Sequence, residues 1–301
     1  MTEFSVLDDD TIWLKDFERR LVAAYSAAGL SRDAAAAFVT KGRATDGDWT
    51  VAQIMDGGVR VGFVAVTMTE KDGGLSGRIG DLHAAAGHAG RGHEAAAREW
   101  AQEWCAARGA RRVSVRVVEP ALGEVFAGYR VNGQVRARQV TAAPEPVGGV
   151  TARPMARAEY TEWLAAEKAS YVGDIVRSGS LSREEARRKS DEDFATLLPE
   201  GLETPDSALL VLEAAGEPVG TAWLRHSYLP GVTYGYSLNI REEHRGKGYG
   251  RAAMAVGERA TFEAGESVLM FSVWGGNDVA MNLYTSAGYR VLDEGRSIEL
   301  P

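Results

Sequence analysis

One cysteine, Cys105, stands among 301 residues, so no disulfide can close within the chain. No apolar run reaches the roughly 18 residues that a membrane-spanning helix needs. Residues 1–30 carry Asp8-Asp9-Asp10 and no secretory pattern, which points to a cytoplasmic protein away from the membrane. A basic excess is missing too. The 42 acidic residues against 34 basic ones give a formal charge of −8, which argues against broad nucleic-acid binding and weakly favours cationic partners. The five histidines are scattered without metal-ligand spacing, so no metal site is expected. Cys105 shares a helical stretch with Trp100 and Trp104 and reads as a small buried hydrophobe.

What is present is enough chain for two domains at roughly 150 residues each, and a basic, glycine-spaced loop, Arg245-Gly246-Lys247-Gly248-Tyr249-Gly250-Arg251. The loop lies between a strand-like run, Thr233 to Ile240, and a helix-like run beginning near Ala252. Glycines let consecutive backbone N–H groups turn toward one anion, the helix adds its positive end, and Arg245, Lys247 and Arg251 add full charges. The pattern predicts a diphosphate cradle and a nucleotide-type cofactor. No Ser or Thr follows Lys247, which excludes a Walker-type loop. Gly248, Gly250 and Ala253 fit the dinucleotide spacing loosely, but the charged run Arg241-Glu242-Glu243-His244 separates them from the strand.

Arg245, Gly248 and Gly250 occupy the defined positions of Q/R-x-x-G-x-G/A, and the loop resembles the coenzyme A loop of the GNAT acetyltransferase superfamily. Downstream, a strand ending in Trp274 is followed by Gly275-Gly276-Asn277-Asp278 and a helix carrying Ala280, Leu283 and Tyr284 and closing in Gly288-Tyr289. This resembles the superfamily's second signature. The resemblance implies an α/β (α+β) fold with a mixed, mainly antiparallel twisted sheet flanked by helices.

The chain also repeats itself. His88-Ala89-Gly90-Arg91-Gly92-His93-Glu94 aligns with His244 to Gly250 at an offset of 156 positions, which also carries Gly109 onto Gly265. Four positions more, Ala127-Gly128-Tyr129-Arg130-Val131 repeats as Ala287-Gly288-Tyr289-Arg290-Val291. Two tandem GNAT-like domains follow, 1–145 and 146–301, with the Pro- and Gly-rich stretch 142–149 as linker. The layout is similar to that of mycothiol synthase, another tandem enzyme of the superfamily, in architecture alone. The copies are chemically unequal: the first has Ala89 for Arg245, Glu94 for Gly250 and Glu124 for Tyr284. A glutamate in a phosphate loop repels a diphosphate by on the order of a kcal/mol or more when partly desolvated. The first copy is therefore expected to be silent, although Gly90-Arg91-Gly92-His93-Glu94-Ala95 formally matches G-x-G-x-x-A. The glycine-rich strand before that match, Leu75 to Leu82, is unlike the buried run of a dinucleotide sheet.

Strict alternation along Thr233–Ile240 sends Tyr234, Tyr236, Leu238 and Ile240 to one face. The resemblance implies that this strand splays from its neighbour, so that backbone N–H groups at Leu238 and Ile240 bind the thioester and pantetheine of acetyl-CoA. It further implies that Asn277 contacts pantetheine, that the Leu238 N–H serves as oxyanion donor, and that Tyr284 protonates the departing thiolate. Core packing for Tyr284 and a helix cap for Asn277 are the competing readings of the same residues. The general base stays open among Glu242, Glu243, Tyr236, His226 and Glu213. Tyr160, Trp163 and Tyr171 are expected to help form the acceptor pocket. The expected activity is acetyl transfer to a primary amine of a small molecule by direct attack in a ternary complex. An aminoacyl-tRNA donor and a non-catalytic acyl-CoA sensor are the rivals, and a homodimer is left open.

Overall fold

The computed structural model describes residues 2–43, 48–71, 74–145, 147–177 and 181–301. Pro146, at the expected domain boundary, and Asp72 and Gly73 lie outside the described residues. The elements of the first copy are β1 (Thr2–Val6), α1 (Thr11–Ala27), α2 (Arg32–Arg43), β2 (Thr50–Asp56), β3 (Val59–Lys71), β4 (Gly74–Ala84), α3 (His93–Ala106), β5 (Arg112–Val117), α4 (Leu122–Val125) and β6 (Arg130–Gln139). Those of the second are β7 (Val150–Pro154), α5 (Arg157–Arg177), α6 (Arg183–Leu197), β8 (Ser207–Ala214), β9 (Glu217–Leu229), β10 (Val232–Ile240), α7 (Tyr249–Glu263), β11 (Val268–Trp274), α8 (Asp278–Ser286) and β12 (Arg290–Glu299). No helix among the described residues is long and apolar enough to cross a membrane.

Local chemistry accounts for many of these boundaries. Ser182 and Glu185 form a reciprocal capping box that starts α6. Gly57 and Gly58 take positive φ, as the tight β2–β3 turn requires. In α1, Trp13, Phe17 and Tyr25 recur on one face and are all buried. Asp81 on β4 accepts from Trp13 Nε1 at 2.8 Å and pairs with Arg20 at 2.6 Å, fastening α1 to the sheet through a buried, fully bonded carboxylate. Cys105 is buried, and that burial pushes its thiol up to about 11, so it packs as expected and does not react.

By contact, the chain forms two compact units, Met1–Gln134 with Leu292–Pro301, and Val135–Val291. The closing strand of the chain thus belongs to the first unit, and the latter half of β6 to the second. This partition concerns contacts; the copy boundary read near residue 146 concerns sequence ancestry and is a separate matter. Strand order is β1-β2-β3-β4-β5-β12 in the first unit and β6-β11-β10-β9-β8-β7 in the second. Each sheet is mostly antiparallel with one parallel pair, β4 with β5 and β10 with β11, which is the mixed sheet that the sequence led us to expect. Helices cover both faces. In the second unit α7 packs its Ala252 and Ala253 on one side, while Trp163 of α5 and Phe194 of α6 pack on the other.

The repeat is visible in the geometry. Ser76–Ile79 pairs with Arg112–Val115, and at the same offset of 156 Val232–Gly235 pairs with Val268–Phe271. Gly92 and Gly248 are both left-handed residues just before a helix, with φ of 91° and 83°. His88 and His93 hold their rings 6.0 Å apart at 53°, and His244 and Tyr249 hold theirs 6.1 Å apart at 53°.

Candidate active site

The parallel pairing of β10 with β11 ends at Gly235 and Phe271. Beyond that point β10 continues to Ile240 paired with β9, and β11 continues to Trp274. A bulge between Gly235 and Ser237 marks the divergence, as expected of an extra residue that bends one strand away from its neighbour. Past the bulge, alternate backbone N–H groups on the freed edge of β10 have, among the described residues, no strand to pair with on that side. The bulge also corrects the face assignment made by alternation. Tyr236 stacks on Trp223 with rings 4.5 Å apart, on the α5–α6 face. Leu238 and Ile240 pack with Ala222 and Ala253 on the α7 face. An inserted residue shifts the two-residue period by one, so Tyr236 and Leu238 point to opposite sides.

The divergence opens a cleft of about 460 Å³, counted out to solvent. Gly235, Tyr236, Ser237, Leu238, Met254, Gly257, Phe271 and Tyr284 are among its walls. Two of these are glycines, and the first copy shows why that matters. At the equivalent positions it carries Ile79 and Ala101, both 0% exposed, in one core with Leu82, Ala97, Val113, Val115 and Phe126 on the α3 side, while a cleft of about 500 Å³ beside Ile79 and Arg116 opens on the other side, toward Phe17 and Tyr25 of α1 and Phe38 of α2. On the side of the following helix, α3 or α7, the strand divergence is thus filled with side chains in the first copy and open in the second.

At the mouth of the second copy, Gly246 and Gly248 take φ of 76° and 83°. An added Cβ at either would meet nothing within 4 Å, so it is conformation and not crowding that calls for glycine there. Among the described residues, the N–H groups of Gly246, Lys247, Gly248, Tyr249 and Gly250 take no backbone partner. Arg245, Lys247 and Arg251 are exposed and have no carboxylate partner among the described residues. Arg245 Nε donates to the Ile240 carbonyl at 3.1 Å, and Arg251 reaches Ser286 Oγ at 3.3 Å. The first turn of α7 holds no acidic residue. These features fit a bound diphosphate. In the first copy the Gly90 N–H instead donates to Glu94 Oε1 at 3.1 Å, so the loop carries its own carboxylate.

Tyr284 lines the cleft from α8, its ring 4.4 Å from that of Phe271. Burial holds its phenol above the ordinary value, with Arg136 opposing, so the group stays protonated at neutral pH. Asn277 is exposed and caps α8, its Oδ1 accepting from the Ala280 N–H at 3.2 Å. It does not line the cleft. Tyr160, Trp163 and Tyr171 pack with Phe194 and Trp223 on the α5–α6 face, and Tyr171 donates to Asp193 at 2.7 Å.

The base candidates separate clearly. Glu213 is held by Arg153 at 2.8 Å, His226 sits 2.9 Å from Thr233 Oγ1, and Glu242 and Glu243 are exposed in the 3-10 turn Glu242–His244. Tyr236 is pushed up to about 12, mainly by burial. None of Glu213, His226, Glu242 or Glu243 lines the cleft. A residue that the sequence reading passed over lies closer. Glu167 of α5 neighbours Ser237, a wall of the cleft, and burial raises its carboxyl above the ordinary range; the Ser237 hydroxyl opposes this shift and Asp174 adds to it. Ser237 Oγ is itself buried without a hydrogen bond of normal geometry. Its helical spacing with Trp163 and Tyr171 was the one local signal for Glu167.

The profile of the Acetyltransferase (GNAT) family matches residues 173–289, a span that holds the cleft, the glycine loop and Tyr284. The Uncharacterized N-acetyltransferase YycN of Bacillus subtilis (strain 168) is 30% identical over 143 residues, 46% of this chain and 92% of the relative. The chain belongs to the GNAT acetyltransferase family. A Mycothiol acetyltransferase of Pseudarthrobacter chlorophenolicus is 27% identical over 146 residues, 47% of this chain but 42% of that protein. The solved structure of a GCN5-related N-acetyltransferase from Sphaerobacter thermophilus covers 99% of this chain and 95% of its own at a TM-score of 0.58 and 18% identity, so the GNAT fold extends over the whole chain.

Proposed function

We propose that this GNAT protein transfers an acetyl group from acetyl-CoA to a primary amine of a small molecule, in a ternary complex built on the second copy alone. The observation that carries this reading is the strand divergence past Gly235 and Phe271, open beneath α7 in the second copy and filled on the equivalent α3 side in the first. Acetyl-CoA, when bound, supplies a thioester: the amine nitrogen bonds to its carbonyl carbon, the carbon–sulfur bond breaks, and the thiolate leaves. Gly246 to Gly250 present N–H groups to the diphosphate, with Arg245, Lys247 and Arg251 around it. The Leu238 N–H donates to the thioester carbonyl oxygen as negative charge builds there. Tyr284, kept protonated by burial, gives its proton to the thiolate. The backbone of Ile240 and the amide of Asn277, whose nitrogen has no protein partner among the described residues, complete the pantetheine contacts.

An amine with a pKa of about 10.4 is protonated at neutral pH and must lose a proton before it attacks. Glu167 is suited to that step. Its carboxylate attracts an ammonium ion, and its raised pKa makes it a stronger base than an exposed carboxylate. The aromatic side chains of the α5–α6 face, Tyr160, Trp163 and Tyr171, bound the acceptor side.

Release of free coenzyme A thiol from acetyl-CoA, followed across a panel of primary amines, tests the reading. Amine-dependent release is expected, and no release with any amine would contradict it. Glu167 works in its ionised form, so the rate of the unaltered protein falls as pH drops through the raised Glu167 pKa. Glu167→Gln is expected to lose that acid limb and to lower kcat/KM at neutral pH by roughly 100-fold or more. A limb that persists in the variant would assign the base elsewhere.

A further inference from the structure

Three side chains of the first unit converge at the loop where that copy lacks the arginine of the cradle. Asp56 ends β2 at the Gly57-Gly58 turn, opposite Thr2 in the β1–β2 register. His88 precedes the loop glycines, and His93 is the first residue of α3. One candidate ligand atom from each lies within 4.8 Å of the others. His93 is only 5% exposed. Its Nδ1 lies 3.0 Å from Thr2 Oγ1, and its Nε2 lies 3.7 Å from the Asp56 carboxylate. Both His93 Nε2 and His88 Nδ1 are buried without a hydrogen-bond partner. A buried polar group left unpaired pays its full desolvation penalty, so two of them beside one carboxylate make a poor packing cluster and a good ligand set.

We propose that Asp56, His88 and His93 bind one divalent transition-metal ion, of which zinc is the type. Two imidazoles and one carboxylate suit ions of borderline softness, whereas calcium and magnesium prefer all-oxygen sites. The 3.7 Å separation of His93 Nε2 from the Asp56 oxygen is close to the edge of about 3.3–3.4 Å that bonds of ~2.0–2.1 Å give in a tetrahedron. With Nε2 on the metal, His93 Nδ1–H donates to Thr2 Oγ1, the outer-shell contact that fixes a ligating imidazole. The positive end of α3 opposes a cation here; the Asp56 carboxylate and the buried Glu94 beside it offset that field. Three protein ligands leave a fourth position, on the solvent side where the Asp56 side chain is 41% exposed. The degenerate copy has thus exchanged an anion cradle for a cation site.

Zinc titration of the metal-free full chain in competition with a chromophoric chelator, together with the visible spectrum after cobalt(II) addition, tests the proposal. One zinc per chain and the intense bands of four-coordinate cobalt are expected. His88→Gln and Asp56→Asn, at the less buried ligands, should weaken binding by roughly 100-fold and Thr2→Val by about tenfold, with unchanged melting of the metal-free proteins. His244→Ala, at the equivalent position of the second copy, should leave zinc affinity unaltered. Zinc bound no more tightly by the unaltered chain than by His88→Gln and Asp56→Asn, or lost in His244→Ala, would overturn the site.

Discussion

Gly235→Ile is expected to weaken acetyl-CoA binding by about 100-fold or more, equivalent to ~2.7 kcal/mol, while leaving the protein folded. The backbone accepts the change: a Cβ at Gly235 would meet Phe271 Cβ at 3.6 Å and Leu224 Cδ2 at 3.8 Å, ordinary contacts. The rest of the side chain then enters the cleft between β10 and β11. Ile79 occupies the equivalent position in the first copy and is fully buried in the core beneath α3, so this strand geometry accommodates isoleucine when no cofactor has to enter. The effect on stability should stay within the about 1–3 kcal/mol typical of an added core side chain. Calorimetric titration gives the affinity and thermal melting gives the control. Unchanged affinity in a folded variant would place the cofactor outside the cleft.

Tyr284→Phe is expected to lower kcat by roughly 100- to 1,000-fold, the usual range for loss of a positioned acid, with acetyl-CoA affinity nearly unchanged. The ring packs against Phe271 at 4.4 Å and contributes to the core around Tyr289, contacts that phenylalanine keeps. The hydroxyl takes no protein partner among the described residues, so its removal strands nothing. Burial raises its pKa, which makes it a reliable donor at neutral pH and a poor base. A variant with full kcat would reduce Tyr284 to packing.

Features written into consecutive residues were legible in advance. The glycine loop and the 156-residue repeat each depend on neighbours in the chain, and each is present in the structure. Three features depend on packing and were not. The bulge at Tyr236 inverts the phase of β10, and no residue type there requires it. Glu167 is significant only because α5 brings it to Ser237, some seventy positions further along the chain. Asp56, His88 and His93 share no ligand spacing, because a hairpin, a turn and a helix end bring them together. The placement of β12 in the first unit was equally hidden. Ala-Gly-Tyr-Arg-Val opens the closing strand of both copies at residues 127–131 and 287–291, so the local words do not say which sheet a strand will join.

Titration of acetyl-CoA into the unaltered, purified chain tests the central claim most directly. One site per chain, lost in the Arg245→Glu, Lys247→Glu double variant, is the result predicted for a second copy open beneath α7 and a first copy filled on the equivalent side. Two sites, or a single site that survives the double variant, would contradict it. So would no binding at all, which would turn attention to an aminoacyl-tRNA donor.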